Sequence, residues 1–191
     1  NIDEICIVSR IDCINDVESI VVNNGYLKVK KILAGGKERY DSSLAAIHAY
    51  PNGNHNLLFH DAVRPLITER IIDDCIKALQ QYNAVDVAVK TTDTIIQVNA
   101  NHCIDNIPNR NELYNGQTPQ GFKRGTIAKA YKFALQDPNF ITTDDCGTIR
   151  KYLPNEPIYV VNGENFNMKL TYVEDLFLLD KLFQLKSLHG E

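Results

Sequence analysis

NLLFHDAVRPLITERIIDDCIKALQQYNAVDVAVK, residues 56–90, reads as one strand–turn–helix–strand unit. Asn56–Phe59 is a short apolar run that stops at a polar turn, which predicts a buried strand. Thr68 then caps a helix reaching about Tyr82. Its apolar residues Ile71, Ile72, Cys75, Ile76 and Leu79 recur at intervals of three and four, so they share one helical face. Ala84–Val89 is a second apolar run. A helix joining two buried strands makes them parallel, because the chain must return to the same end of the sheet before the next strand begins.

The same rhythm extends outward. Upstream lie a strand at Ile5–Val8, a helix over Asp12–Asn23 (Ile14, Val17, Ile20 and Val21 inward, Gly25 as the stop), and a strand at Val29–Leu33. Gly35-Gly36 ends that strand, and a helix follows over Asp41–Tyr50 with Leu44 and Ile47 inward. Downstream, helices are expected over Arg124–Leu135 and Asp145–Leu153, strands over Ile158–Val161 and Phe166–Leu170, and a last helix over Val173–Leu185 before a polar tail. Alternating strands and helices imply an α/β fold: a mostly parallel sheet with helices on both faces. Residues 1–191 read as one domain. The rhythm breaks once, where Thr94–Val98 and His102–Ile107 alternate weakly around Asn99-Ala100-Asn101. That pattern predicts a hairpin, and 94–117 reads as an arm projecting from the domain.

Composition narrows the function. Of 191 residues 44% are hydrophobic and 23% charged, ordinary for a globular chain. Twenty Lys and Arg against 24 Asp and Glu give a net charge of −4, the wrong sign for coating nucleic acid. No apolar run approaches the ~18 residues of a membrane span, and the N-terminal stretch lacks the basic start of a secretory signal. Cys6, Cys13, Cys75, Cys103 and Cys146 are odd in number and form no C-x-x-C pair. They predict buried or inert thiols in a reducing cytoplasm rather than a disulfide framework or a zinc site.

Ligands of open α/β sheets sit beyond the carboxyl ends of the strands. The polar residues there are Gly35, Gly36, Lys37, Arg39 and Ser42 after the second strand, and His60, Asp61 and Arg64 after the third. Thr92, Asp93 and Thr94 follow the fourth, and Asn167, Lys169 and Thr171 the late strands. Four cations on one rim of an acidic protein favour a phosphorylated ligand. Asp61, at a strand tip, could hold Mg²⁺ together with water and phosphate oxygens. Arg64 could fork onto a phosphate, or simply pair with Asp61 around a turn. His60 reads as packing or orienting. Gly35-Gly36 with Ser42 could bind a nucleotide, or could be a tight turn with Asp41 or Ser42 as helix cap. Thr143 or Asp144 reads first as a cap, and Thr171 with Glu174 as a capping box. Lys169, between Met168 and Leu170 on an expected buried strand, should point into the anion site, since an unpaired buried ammonium is costly. Arg110, on the arm, could reach a second subunit or remain solvated.

No Ser–His–Asp or Cys–His grouping is present. Phosphoryl transfer explains how the chemistry could proceed without one. A phosphomonoester, with its second pKa near ~6, is already a nucleophile at neutral pH. Catalysis then needs alignment, charge neutralisation and Mg²⁺ rather than a general base.

Taken together, GGKERYDSSL (35–44), HDAVRP (60–65), TTDTI (91–95), IPNRNELYNGQTPQGF (107–122), TDD (143–145) and NFNMKLTYVEDL (165–176) resemble the cytidylyltransferases that activate sugar-alcohol phosphates. That family includes the methylerythritol phosphate and ribitol-5-phosphate enzymes, and the resemblance spans about Ile2 to Leu185. It implies a three-layer, Rossmann-like nucleotidyltransferase fold and homodimers joined through the β-arm. It also implies transfer of CMP from CTP to a polyol phosphate, with Mg²⁺ and release of pyrophosphate. Carried over, Gly35, Gly36, Ser42 and Asp61 would serve the nucleotide, with Asp61 also at the metal. Asp61, Arg64 and Lys169 would be catalytic. Thr94, Arg110, Thr118, Thr143, Lys169 and Thr171 would serve the acceptor, Arg110 from the other subunit. The IPNR…YNGQTPQ stretch resembles the ribitol branch, making D-ribitol 5-phosphate the expected acceptor. The alternatives are methylerythritol phosphate, as in isoprenoid synthesis, or a non-catalytic nucleotide-binding homologue. The family's Gly-rich loop with its Arg, and the Lys segment that wraps the triphosphate, have no counterpart within these 191 residues.

Overall fold

The computed structural model describes residues 2–51 and 53–189. Two sheets carry the fold. β1 (Ile5–Ser9) and β2 (Val29–Ala34) pair in parallel on either side of α1 (Ile14–Asn23). The main sheet has the order β3 (Asn56–Phe59), β7 (Tyr114–Lys123), β4 (Ala84–Lys90), β8 (Ile158–Asn162). β4 runs parallel to β8, and β7 runs antiparallel to both β3 and β4. So β3, β4 and β8 point the same way, and β7 alone opposes them.

Alternation along β4 sorts the core. Ala84 packs with Ile47 of α2 (Arg39–Ala49), Ile127, Ala130 and Tyr131 of α4 (Arg124–Ala134), and Cys146 and Ile149 of α5 (Asp145–Tyr152). Val85 and Val87 face the opposite side, against Ile71 and Cys75 of α3 (Glu69–Ala78) and Leu79, which caps its C-terminus. Successive side chains of a strand point to opposite faces, and both faces of β4 are covered by helices. The three-layer expectation therefore holds.

Several local readings change. The sequence pattern extends the arm to Gln117, into the ten residues of β7. Tyr114, Asn115 and Gly116 instead pair with Lys90, Val89 and Ala88 of β4, so the arm proper ends before Tyr114. Pro119 sits inside β7 after a cis peptide bond, where the pairing with β4 is irregular between Asp86 and Ala88. The arm's hairpin is short, β5 (Gln97–Val98) with β6 (Ile104–Asn106). Its turn is closed by the Asn99 side chain, which accepts from the backbone N–H of Asn101 and Cys103. Phe166–Leu170 is a loop rather than a strand. The last helix, α6, runs Glu174–His189, and residues 190–191 of the polar tail lie outside the described residues. In its first turn Asp175, rather than Glu174, reaches back to accept from the N–H of Thr171 and Tyr172. None of the five cysteines is bridged. Cys75 and Cys146 are buried, whereas Cys103 is exposed on the arm's turn. No helix among the described residues is long and apolar enough to cross a membrane.

Candidate active site

Asp61 lies just past the carboxyl end of β3. Lys169 Nζ approaches its Oδ2 at 3.2 Å and Arg64 Nε at 3.6 Å. Three residues spread over more than a hundred positions thus meet at one carboxylate. The backbone that carries them is fixed independently of those charges. Asp61 donates its N–H to Thr118 Oγ1 at 3.0 Å. The same hydroxyl lies 2.9 Å from His60 Nδ1, while His60 Nε2 lies 2.9 Å from the Arg64 carbonyl. A carbonyl only accepts, so Nε2 carries the proton, Nδ1 is bare, and the Thr118 hydroxyl donates to it. Burial, with the nearby Arg64 charge, lowers the His60 pKa and keeps the ring neutral. Both ring nitrogens are spent on structure, as the orienting role for His60 requires.

Lys169 reaches this point from a loop, which corrects the expected buried strand; its side chain is 49% exposed. The loop is pinned by Asn167, fully buried. Asn167 Nδ2 donates to the Thr118 carbonyl at 2.9 Å, and its own carbonyl accepts from Arg64 Nη1 at 2.8 Å. Leu170 N–H adds a bond to the Val63 carbonyl at 2.8 Å. Arg64 is therefore half structural. It ties the 163–171 loop to the 60–65 turn, and its buried Nε has no hydrogen-bond partner among the described residues.

The remaining predicted residues fall into separate groups. Gly35 and Gly36 lie in the turn between β2 and α2. A Cβ on Gly35 would stand 2.6 Å from Ser42 Oγ, and one on Gly36 would collide with Asp41 Cβ. The pair is needed for close approach of the turn to its own helix. Asp41 Oδ2 accepts from the Glu38 N–H, so α2 starts two residues before the expected cap. Thr143 is exposed beside Asp144, whose Oδ1 caps α5 through the Gly147 N–H at 2.7 Å. Thr171 is exposed next to Lys169. Thr94 and Arg110 are exposed at the base of the arm, where Arg110 Nη1 reaches the Thr92 carbonyl at 3.3 Å. Among the described residues no hydrogen bond or ion pair ties these two to Asp61.

Sequence reasoning did not assign a role to the polar network beneath the rim. Gln120 of β7 donates its amide to Asp86 Oδ1 at 3.1 Å and to Asp144 Oδ2 at 2.9 Å. Its Oε1 accepts from the Asp145 N–H at 3.1 Å. The only available signal was the run of acids in TDD, which capping explains equally well. Burial pushes Asp86 up to about 6, and the Asp144 charge adds to the shift. The sign follows from proton counting. Folded Asp86 holds its proton to higher pH than the unfolded chain, so stability is lost as pH rises from about 4 to about 6 and stays lost above that. Asp86→Asn is thus expected to stabilise the protein at pH 8 by up to about 3 kcal/mol, and not at all near pH 4. Denaturant midpoints at the two pH values decide it, and equal gains at both would exclude the mechanism.

A cleft of about 750 Å³ is lined by His55, Lys123, Arg124, Lys129 and Tyr152 among others. It lies at the opposite rim of the main sheet, and none of the predicted site residues lines it.

Known proteins resemble the chain throughout. The family model of IspD, 2-C-methyl-D-erythritol 4-phosphate cytidylyltransferase, matches residues 1–184. A bifunctional ribulose 5-phosphate reductase/CDP-ribitol pyrophosphorylase of Haemophilus influenzae is 48% identical over 189 residues, 97% of this chain but 40% of that protein. The 2-C-methyl-D-erythritol 4-phosphate cytidylyltransferase of Thermobifida fusca is 40% identical, over 96% of this chain and 76% of the relative. Among solved structures, the 4-diphosphocytidyl-2C-methyl-D-erythritol synthase of Anaerococcus prevotii superposes with a TM-score of 0.87 at 31% identity, covering 95% of this chain and 82% of its own.

Proposed function

The chain belongs to the IspD family, and on that premise we propose that it transfers CMP from CTP to a polyol phosphate, with D-ribitol 5-phosphate the preferred acceptor. The observation that carries the reaction class is the Asp61 cluster: one carboxylate at a strand tip with Lys169 at 3.2 Å and Arg64 at 3.6 Å. The higher identity to the CDP-ribitol pyrophosphorylase, 48% against 40%, favours ribitol phosphate. The family's own description keeps methylerythritol phosphate as the second reading.

In this reading a phosphate oxygen of the acceptor attacks the α-phosphorus of CTP. The new P–O bond forms as the α–β bridge breaks, and pyrophosphate leaves with the electron pair. The acceptor phosphate is ionised, so no base is required. The residues present fit Mg²⁺, which takes one or two carboxylates and fills its other positions with water and phosphate oxygens. Asp61 would hold it, and the ion would neutralise charge on the phosphates. Lys169 and Arg64 supply fixed positive charge where negative charge accumulates. Gly35, Gly36 and Ser42 would form the nucleotide side. Thr143, Thr171 and Lys169 would face the acceptor, and Thr118 would act on it through Asp61. Thr94 would also serve the acceptor, and Arg110 would be supplied across a homodimer built on the arm, whose Ile96, Val98, Ile104 and Ile107 are exposed in the single chain.

The test is pyrophosphate release by the full-length protein with Mg²⁺, each of four nucleoside triphosphates, and either acceptor. Release with CTP and ribitol 5-phosphate is expected. Release only with methylerythritol phosphate would move the chain to the second reading, and none with either acceptor would refute the transferase. Arg110→Ala is expected to raise KM for the acceptor about tenfold while changing KM for CTP less than about twofold, the scale of one charge-assisted contact. An equal rise in both would remove Arg110 from the acceptor side.

A further inference from the structure

Resting on that reading, we infer that Asp145 is a positioning residue which, through Arg39, couples the nucleotide side of the site to the acceptor side. The two residues open the two helices that flank the rim. Arg39 is the first residue of α2, directly after the Gly35-Gly36 turn and three residues before Ser42. Asp145 is the first residue of α5, directly after Thr143 and Asp144. Arg39 Nη1 donates to Asp145 Oδ2 at 2.7 Å, across 106 positions of sequence.

One end of this bridge is locked in the core. Asp145 is fully buried, and its other oxygen accepts from the Tyr131 hydroxyl at 2.6 Å. Its N–H is held by Gln120, the residue that also grips Asp144. The carboxylate therefore cannot move without disturbing the loop that carries Thr143. Arg39 differs, with 38% of its side chain exposed. One nitrogen is anchored on Asp145 and the rest of the guanidinium remains open at the rim, where it feels the Asp61 charge.

The topology makes this bridge consequential. Among the described residues, β1 and β2 form a sheet with no ladder to the main sheet. The turn that would hold the nucleotide thus belongs to one sheet, and Asp61 and Thr143 to the other. A phosphorylated nucleotide that fixes the Arg39 guanidinium also fixes the start of α5. The acceptor then binds a loop already ordered, which is positive coupling between two sites, and the coupling is reciprocal.

The measurement is acceptor affinity in the presence and absence of a CTP analogue with a non-cleavable α–β bridge, by titration calorimetry on the full-length protein. The unmodified protein is expected to bind ribitol 5-phosphate at least fivefold more tightly with the analogue. Asp145→Asn keeps the hydrogen-bonding shape and removes the charge. Arg39→Gln, on the exposed partner, keeps the test open if the buried change unfolds the chain. Each is expected to bring the coupling factor within twofold of unity while changing the affinity for the acceptor alone less than threefold. A merely structural pair would weaken both affinities and leave the factor intact, and that result would overturn the inference. So would a coupling factor of unity in the unmodified protein. Pyrophosphate release with an unaltered factor in Arg39→Gln sinks the coupling alone, whereas absent release sinks the transferase reading beneath it.

Discussion

Asp61→Asn is expected to lower kcat at least ~100-fold, the scale of removing one preorganised electrostatic group from a reacting centre. The substitution is chosen because it isolates charge. Asparagine has the same shape, and the bond that seats residue 61 runs from its backbone N–H to Thr118, so it survives the change. What disappears is the negative charge facing Lys169 and Arg64, and with it the carboxylate that would hold Mg²⁺. With Asp61 neutral, those cations lose the group that sets their position before the phosphates arrive. Pyrophosphate release under saturating CTP and acceptor reads the effect, with thermal melting as the check on folding. Unchanged turnover would remove Asp61 from the chemistry and leave the cluster as an ordinary ion-pair network.

Lys169→Met is expected to lower kcat/KM at least ~100-fold, because one cation of the developing-charge site is lost while the stem length is kept. The supporting loop is fastened by Asn167 and by the Leu170–Val63 backbone bond, neither of which uses the ammonium. The lysine head is half exposed, so its loss opens no cavity. Melting temperature should therefore stay within ~2 °C, since an exposed pair contributes little stability. A large drop in stability with modest loss of rate would make Lys169 a structural clamp. The two substitutions are not expected to add. They share one contact at 3.2 Å, and groups that act as a unit lose most of their effect at the first removal.

The helices and the parallel strands were legible because their apolar residues repeat at the period of the element. α3 shows this well: Ile71, Cys75 and Leu79 recur every fourth residue, and all three are fully buried. β7 was not legible. Gln117, Thr118 and Gln120 are polar and lie beside Gly116, Pro119 and Gly121, a composition that reads as a turn. Yet these three polar side chains are all buried. Their partners are Glu164 and Asn167, His60, and Asp86 with Asp144 and Asp145, all distant in sequence. A buried amide is tolerated only when satisfied, and nothing local reveals that satisfaction. Phe166–Leu170 failed in the opposite sense. Its alternating pattern suggests a strand, but Asn167 spends its side chain on the Thr118 carbonyl and the segment forms no ladder.

By itself the sequence determined the layers, the rim that carries the charged residues, and the identity of Asp61, Arg64 and Lys169 as a set. Periodicity and position after a strand are local properties, written in neighbouring residues. The packed fold settled which of these groups touch. It also decided that Arg64 is partly a structural tie, that Lys169 rises from a loop, and that a buried Asp145 holds Arg39 across two sheets. Those outcomes depend on how polar groups far apart in the chain satisfy one another once water is excluded, and that balance is settled only when the whole chain has packed.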